Sequence, residues 1–306
     1  RLQGDWSSDV CSSDLGVTSA DLNGDGRGDL ISANRNSNSV SVFFNTTTPG
    51  SATPSFSTKT DFTTGTIPLK VRAGDLNGDG KIDLAVSSEG GGVASLLLNT
   101  TTTGAATPSF AGKFDVTAGS NPSDITLADF DLDGRLDVAI SNVITMDLKV
   151  QLNRTSPGSS TLQFVAGPNL AIGQYTQGVW ADDLNNDGKP DLVGAANTSE
   201  QLVVYMNQTV PGSGVATFSQ VASLATGRVP HGVCIADFNN DGRKDIFGAN
   251  ARGASVSVFL NTTTMPASAP AFRPYQDFAA GQGPAGIAVG DFNLDGRPDK
   301  IGRAHV

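Results

Sequence analysis

The sequence predicts an all-β fold of repeated four-stranded antiparallel sheets, and three observations lead to this prediction. An acidic nine-residue string, DLNGDGRGD at Asp21, recurs at a constant interval of about 54 residues, a period typical of repeat architectures. Between its copies lie short apolar runs rich in Val, Ile, Leu and Phe, bounded by Gly, Pro, Asn and Thr, and such runs are typical of strands. No segment keeps an apolar stripe of period 3.6 over three turns, so helices are not expected. The copies begin at Asp21, Asp75, Asp129, Asp183, Asp237 and Asp291.

The order of the apolar runs within one unit predicts a propeller blade. In the second unit we expect strands over 69–74, 84–87, 93–98 and 110–116. Four antiparallel strands in about 50 residues are typical of a blade, and one such sheet cannot bury both faces alone, so stacked blades are favoured over separate β-domains. The sequence therefore predicts an incomplete β-propeller, with about five or six blades of a ring of roughly six to eight. Its blades are a partial one at 16–65, full ones at 66–119, 120–173, 174–227 and 228–281, and a partial one at 282–299.

Both ends of the chain depart from the repeat. After Asp299 the pattern expects an apolar strand, but Lys300 and Arg303 stand there instead. Residues 1–15 lack the pattern too, and both strings resemble translations of a sequencing adapter. We therefore expect 1–15 and 300–306 to be non-native segments, and roughly one to three blades to be missing.

The acidic string has the chemistry of a calcium-binding loop. In the pattern D-x-[DN]-x-D-G-x-x-D, oxygen-bearing side chains at positions 1, 3, 5 and 9 converge on one small space. Calcium takes about six to eight oxygen ligands, whereas carboxylates this close repel one another when no cation is present. Gly at position 6 permits the positive φ of a sharp turn. An EF-hand is excluded because position 12 is not acidic and the flanking segments are predicted strands.

The unit resembles the FG-GAP/VCBS repeat, the blade of integrin-α-like β-propellers, over essentially all of residues 16–299. The resemblance implies that each loop joins the innermost strand of a blade to the next strand and binds one Ca²⁺, up to six in all. It also implies that the backbone carbonyl at position 7 is a ligand. The implied ligands are Asp21, Asn23, Asp25, Arg27 and Asp29; Asp75, Asn77, Asp79, Lys81 and Asp83; Asp129, Asp131, Asp133, Arg135 and Asp137; Asp183, Asn185, Asp187, Lys189 and Asp191; Asp237, Asn239, Asp241, Arg243 and Asp245; and Asp291, Asn293, Asp295, Arg297 and Asp299.

Two expectations distinguish individual loops. The third loop has four Asp residues, since Asp131 stands where the other loops have Asn, and it should bind most tightly if the number of charges governs affinity. The sixth loop keeps its ligands, but it is expected to lack the strand that follows. The tripeptide Arg27-Gly28-Asp29 spells RGD, but Asp29 is position 9 of a loop, so we do not expect adhesion through it.

A second marker recurs at the same interval as the acidic string. An Asn closes an apolar run in five units, and a Phe follows each of them at a fixed distance, as Phe56 follows Asn45. Each Asn, like Asn197, fits the N-x-[ST] acceptor pattern, but an Asn that ends a strand and starts a turn is the alternative. We do not expect glycosylation at these sites, since the repeat is of a bacterial style. The marker residues are Asn45, Asn99, Asn153, Asn207 and Asn261.

The loops on the opposite face of the predicted propeller carry residues that vary between units. One set is Arg35, Glu89, Asp147, Glu200 and Arg252. The other set is Tyr175, Arg228 and His231, near Trp180, and we take these three as candidate ligand-binding residues because an aromatic side chain can stack on a sugar ring. A solvated loop or local packing is the alternative.

Composition and charge exclude several classes of function. The net charge of −10 argues against nucleic acid as a partner, and no apolar run reaches the ~20 residues of a membrane span. His231 and Cys234 leave few candidates for a nucleophile and its base, so no enzymatic activity is expected. The sequence predicts an extracellular calcium-binding scaffold, secreted or at a bacterial cell surface, for recognition of a protein or glycan and for adhesion. The alternatives are a calcium-dependent lectin-like domain and the accessory propeller of a secreted polysaccharide-degrading enzyme.

Overall fold

The strands form a series of small antiparallel sheets. The computed structural model describes residues 16–264, 267, 269–290 and 299–304, and these contain 22 strands and no helix. Five sheets have four strands and one has two, and in each sheet the strands are hydrogen-bonded in chain order. None of the described residues forms a helix long and apolar enough to cross a membrane. The predicted all-β fold class and the four-stranded blades are confirmed.

The strands of the first three blades have similar bounds relative to the repeat. Blade 1 contains β1 (Val17–Ala20), β2 (Asp29–Asn34), β3 (Ser39–Phe43) and β4 (Thr60–Thr63). Blade 2 contains β5 (Pro68–Gly74), β6 (Asp83–Ser88), β7 (Val93–Leu97) and β8 (Phe114–Thr117). Blade 3 contains β9 (Pro122–Ala128), β10 (Asp137–Asn142), β11 (Asp147–Asn153) and β12 (Phe164–Ala171).

The remaining blades follow the same order. Blade 4 contains β13 (Thr176–Asp182), β14 (Asp191–Ala196), β15 (Gln201–Asn207) and β16 (Phe218–Ala225). Blade 5 contains β17 (Pro230–Ala236), β18 (Asp245–Asn250), β19 (Ser255–Phe259) and β20 (Gln276–Ala279). The two-stranded sheet contains β21 (Pro284–Gly290) and β22 (Asp299–Ala304).

The core lies between neighbouring blades. Successive side chains of a strand point to opposite faces of its sheet. In β6, Leu84 and Val86 pack with Ile31 of blade 1, whereas Ala85 packs with Ile125 of blade 3. All of these residues are fully buried. Blade 2 thus buries one apolar face on blade 1 and the other on blade 3, which explains why consecutive residues at the centre of β6 are apolar.

The first strand of each blade contacts the first strands of the neighbouring blades, so these strands form the inner edge of the stack. The approach is close between blades 4 and 5, where a Cβ on Gly178 would lie 2.5 Å from the carbonyl oxygen of His231. A buried ion pair joins blades 2 and 3: Arg72 Nη2 lies 3.4 Å from Asp124 Oδ1. The Arg72 guanidinium also lies 4.9 Å from the ring centre of Trp180 in blade 4.

The fourth strand of blade 2 begins later than predicted. It starts at Phe114 and not at Phe110, which forms only an isolated bridge with Asn99. The hydrogen-bond ladder between β7 and β8 covers only Phe114–Thr117, and residues 111–113 do not pair with β7. In blades 3 and 4, by contrast, the fourth strand begins at the equivalent Phe itself.

The ends of the repeat region also differ from expectation. The predicted partial blade at 16–65 has all four strands, although its first strand, β1, has 4 residues against 7 in β5. After the sixth loop a strand was not expected, but β22 pairs with β21 from Asp299 to Ala304. Backbone pairing of this kind requires no particular side chain, so the loss of the apolar pattern does not prevent it.

Candidate metal centres

The acidic strings are the loops that join the first and second strands of the blades. We number them loop 1 (21–29), loop 2 (75–83), loop 3 (129–137), loop 4 (183–191) and loop 5 (237–245). In each loop the ninth residue is the first residue of the second strand, as Asp29 is of β2. Since the first strands lie at the inner edge of the stack, the connection implied by the family resemblance is present. Residues 291–298 of the sixth loop, with the predicted ligands Asp291, Asn293, Asp295 and Arg297, lie outside the described residues.

The carboxylate at position 1 is held by the backbone of its own loop. In loop 3, Asp129 Oδ1 accepts a hydrogen bond of 3.0 Å from Asp133 N, and Oδ2 accepts one of 2.8 Å from Gly134 N. The turn requires a positive φ at Gly134, which is 88°, as the sequence predicts. The same two bonds occur at Asp21, Asp75, Asp183 and Asp237.

The carboxylate at position 9 is buried and accepts two backbone hydrogen bonds. Asp83 Oδ2 accepts from Leu76 N at 2.8 Å, and Oδ1 accepts from Asn99 N at 2.7 Å. The side chain of Asp83 has no exposed surface. The same pair of bonds holds Asp29, Asp137, Asp191 and Asp245. Each loop is therefore closed onto the strand-ending Asn of its own blade.

Burial disfavours the negative charge of these carboxylates. It raises the pKa of Asp83 to about 7, although the two N–H donors oppose the shift, and the carboxylates of Asp79 and Asp75 raise it further. For the same kinds of reason the pKa of Asp137 and Asp191 is raised to about 7. A positive ion beside them would favour the ionised form. The position-9 carboxylate is thus suited to a metal cation.

At positions 5 and 7, loops 1, 3, 4 and 5 each carry an ion pair of their own. The guanidinium of Arg27 contacts Asp25, that of Arg135 contacts Asp133, and that of Arg243 contacts Asp241. In loop 4 the pair is looser, with Lys189 Nζ 3.9 Å from Asp187 Oδ2. In these four loops the charged side chain at position 7 therefore lies beside a neighbouring carboxylate, and the use of its backbone carbonyl as a ligand stays a prediction.

Loop 3 brings three carboxylates together. Asp129, Asp131 and Asp137 each offer an oxygen, and these oxygens lie within 4.8 Å of one another. Asp131 is fully buried; its Oδ2 lies 2.6 Å from Arg154 Nη2, but neither carboxylate oxygen accepts a well-aligned hydrogen bond. A buried, all-oxygen set of donors fits a hard divalent cation such as Ca²⁺. Asp133, the fourth Asp of the loop, lies outside this group, and its carboxylate pairs with Arg135 and Arg154.

The strand-ending Asn connects neighbouring blades, which sequence reasoning missed. The side-chain amide of Asn153 donates to the carbonyl of Leu76 in blade 2 at 2.7 Å and to that of Leu136 at 3.0 Å. Asn153 is fully buried, so its amide nitrogen is not accessible for glycosylation. The recurrence of Asn at the interval of the repeat was the signal of this role. Equivalent bonds between blades are made by Asn99, Asn207 and Asn261.

The opposite face has a groove where blades 4 and 5 meet. Its volume is about 470 Å³, and it gathers Arg228 and His231 from the predicted ligand-binding set with Glu200 and Arg252 from the variable loops. Arg228 Nε lies 3.8 Å from Glu200 Oε1, and its side chain is 71% exposed. The third candidate, Tyr175, is exposed but does not line the groove. Asn197, Thr198, Val229 and Ala251 complete the lining.

Repeated four-stranded blades, each with an acidic loop between its first and second strands, define a β-propeller with acidic inter-strand loops. The family model described as FG-GAP-like repeat matches residues 21–86, 183–248 and 237–301, and each match begins at the first residue of a loop. The matches cover more than half of the chain, and the chain belongs to the FG-GAP-like repeat family.

One solved structure shows a similar fold. The chain is similar to BBS1N in the crystal structure of its complex with ARL6DN, soaked with mercury, with a TM-score of 0.57 and 9% identity over 97% of this chain and 78% of that one. A search of curated protein sequences gives no match.

Two further structures are similar at lower TM-scores. One is the V. cholerae biofilm matrix protein Bap1, with a TM-score of 0.39 and 16% identity over 84% of this chain and 39% of that one. The other is the PQQ-bound aldose sugar dehydrogenase from Streptomyces coelicolor, with a TM-score of 0.44 and 14% identity over 97% and 96% of the two chains.

Proposed function

We propose that the chain is an extracellular calcium-binding β-propeller scaffold that recognises a protein or glycan ligand and is not catalytic. The observation that carries this proposal is the acidic loop itself. Five described loops place a fully buried carboxylate at position 9, and in loop 3 three carboxylates converge within 4.8 Å. In this proposal each loop binds one Ca²⁺ through the oxygens at positions 1, 3, 5, 7 and 9.

The environment outside cells supports the extracellular part of the proposal. Calcium is present there at roughly millimolar concentration, which suits loops of modest affinity. Nineteen of the 30 acidic residues belong to the six acidic strings, so the net charge of −10 is concentrated where cations would bind. A chain of this kind is best stabilised where calcium is abundant, because ligand binding to the native state raises its stability.

A non-catalytic role is supported by the position of the one cysteine in the described residues. Cys234 is fully buried in the core of blade 5 with Phe247 and Ala249. A side chain packed in this way cannot reach a substrate in solvent. The Asp residues of the loops are proposed metal ligands, which leaves them unsuited to act as general acid and base.

Calcium titration of the full chain tests the proposal. Isothermal titration calorimetry is expected to show up to six bound Ca²⁺ per chain, and the melting temperature should rise with calcium and fall with chelator. Mg²⁺ is expected to bind more weakly, because it requires near-octahedral geometry and loses its water reluctantly. Absence of binding heat, together with a melting temperature that ignores the chelator, would overturn the proposal.

The groove between blades 4 and 5 favours a lectin-like function as a second candidate. Two arginines, Arg228 and Arg252, line it against one carboxylate, Glu200. The backbone N–H of Arg252 donates a hydrogen bond of 3.2 Å to the Arg228 carbonyl, so the two arginine side chains extend from neighbouring backbone positions. Guanidinium groups bind carboxylates well. The groove therefore suits a glycan that carries an acidic group.

Binding to an array of acidic and neutral glycans tests the second candidate. Acidic glycans are expected to bind, and Arg228→Ala and His231→Ala should each weaken the binding. Arg35→Ala is a matched control on the same face, since Arg35 pairs with Glu89 where blades 1 and 2 meet. Equal binding of acidic and neutral glycans, or equal losses from Arg228→Ala and Arg35→Ala, would contradict the lectin-like function.

A further inference from the structure

Two residues that set blade 3 apart from the other described blades touch each other, one in loop 3 and one after the third strand. Position 3 is Asp131, where the other described loops have Asn. The residue after the strand-ending Asn is Arg154, and Arg154 Nη2 lies 2.6 Å from Asp131 Oδ2. Arg154 Nη1 also lies 2.9 Å from Asp133 Oδ2. The residues at the place of Arg154 in the other units are Thr46, Thr100, Gln208 and Thr262.

In loops 1, 2 and 4 the Asn at position 3 connects its blade to the next one. The side-chain amide of Asn77 donates to the carbonyl of Ser159 at 3.0 Å, 82 residues later. Asn23 donates to Ala105 at 3.2 Å, and Asn185 donates to Ala267 at 3.0 Å, again 82 residues later. Each acceptor belongs to the long loop between the third and fourth strands of the following blade.

Asp131 cannot make this bond, and Arg154 makes one in its place. An ionised carboxylate has no hydrogen to donate. Arg154 Nη2 donates at 2.7 Å to the carbonyl of Gly214, which lies in the corresponding long loop of blade 4. The pair of Asp131 and Arg154 therefore does together what a single Asn amide does in loops 1, 2 and 4.

The guanidinium also balances the additional charge of loop 3. Asp131 is fully buried, and a buried carboxylate is costly without a positive partner. A cation bound among Asp129, Asp131 and Asp137 would need the same carboxylate that Arg154 approaches. Two positive groups beside one carboxylate repel each other, so the guanidinium and the metal compete for it.

We propose that Arg154 is an internal counter-ion of loop 3, which competes with the metal for Asp131 and maintains the contact between blades 3 and 4. The proposal rests on the calcium binding proposed above. As a consequence, loop 3 binds its cation no more tightly than the other loops, although it has four Asp residues. Removal of the guanidinium should raise the affinity of this site about tenfold, which corresponds to about 1.4 kcal/mol.

Calcium titration of three full-length chains tests the competition. Arg154→Thr introduces the residue that stands at this place in blades 1, 2 and 5. Its titration with Ca²⁺ against a chromophoric chelator should show one site tightened about tenfold relative to the unsubstituted chain. Gln208→Thr is the matched control, because it makes the corresponding change in blade 4 beside an Asn loop, and it should leave all affinities unchanged. Equal affinities for Arg154→Thr and the unsubstituted chain would overturn the proposal.

A double variant keeps the proposal testable if Arg154→Thr fails to fold. D131N/R154T introduces the residues that blade 2 has at both places, Asn77 and Thr100. The Asn amide can then donate to the next blade, and the additional negative and positive charges are both removed. Its third site should bind calcium within about twofold of the unsubstituted chain, whereas an affinity governed by the number of Asp residues predicts a loss of about tenfold. The larger loss would overturn the competition but leave the proposed function standing. An unsubstituted chain that binds no calcium would overturn both.

Discussion

The side-chain amide of Asn99 donates a hydrogen bond of 2.8 Å to the carbonyl of Leu22, which lies 77 residues earlier in the preceding blade. The same amide donates to Ile82 at 2.9 Å, and the backbone N–H of Asn99 donates to Asp83 at 2.7 Å. One buried side chain therefore connects two successive acidic loops. Stability and loop geometry are coupled along the stack through this residue and its copies.

Substitution of Asn99 by Ala should destabilise the chain by about 1–3 kcal/mol, because two buried carbonyls lose their donor. Asn45→Ala is the matched control. Its amide donates to the Gly28 carbonyl at an exposed site, so a loss below about 1 kcal/mol is expected. Urea unfolding measures both values, and similar losses for the two variants would contradict the coupling between blades.

In the absence of calcium, stability should fall as the pH rises from about 5 to 8. The pKa of Asp83, Asp137 and Asp191 is raised to about 7 in the folded chain, mainly by burial, against about 4 when unfolded. A raised folded pKa favours the protonated folded state, so its contribution is full below about 4 and is lost as the pH passes through 7. Melting temperatures in chelator at pH 5.5, 6.5 and 7.5 measure this effect.

Calcium should remove most of that loss, because the ion stabilises the ionised carboxylates. The difference in melting temperature between calcium and chelator is therefore expected to widen with pH. A melting temperature in chelator that rises over the same pH range would show that these carboxylates do not govern the stability of the metal-free chain.

Two glycines should differ in their tolerance of a methyl group. Gly178→Ala places a Cβ 2.5 Å from the His231 carbonyl, so blades 4 and 5 must move apart at a cost of about 1–3 kcal/mol. Gly80→Ala meets no atom within 4 Å, but its φ of 83° imposes a strain of about 1 kcal/mol. Chemical denaturation compares the two variants, and a greater loss from Gly80→Ala would contradict the close packing of the inner strands.

The buried ion pair of Arg72 and Asp124 should show strong coupling. Arg72→Met leaves the buried Asp124 carboxylate with Lys70 as its remaining positive neighbour and is expected to destabilise the chain by up to roughly 3–5 kcal/mol. The double variant R72M/D124N removes both charges, and most of the loss should be recovered because the Asn oxygen can still accept from Ile125 N. A double-mutant cycle by urea unfolding measures the coupling, and simple additivity of the two substitutions would contradict it.

Much of the architecture could be predicted because it is encoded locally and repeated. Each acidic string carries its own turn, with Asp at position 1 bonding to the N–H groups of positions 5 and 6. Each apolar run carries the pattern of a strand. The fourth strand of blade 2 was misplaced, because Phe110 has the pattern of a strand but forms only an isolated bridge to Asn99.

The acidic loops could be located from the sequence, but the balance of charge within them could not. Counting Asp residues singled out loop 3 as the tightest site, yet it could not place Arg154 beside Asp131. In the same way, the sequence placed Arg228 and His231 in one set of variable residues and Glu200 and Arg252 in another. It could not show that all four line one groove. Contacts of this kind depend on where side chains from separate turns meet.

The sequence by itself determined the fold class, the constant interval of the repeat and the places of the acidic loops, because these follow from periodicity and from residues adjacent in the chain. Only the tertiary structure decided how one blade is held to the next. The bonds from Asn99 to Leu22 and from Arg154 to Gly214 join residues 77 and 60 positions apart. Such partners are set by the packing of one sheet on another, which brings together groups that no local pattern relates.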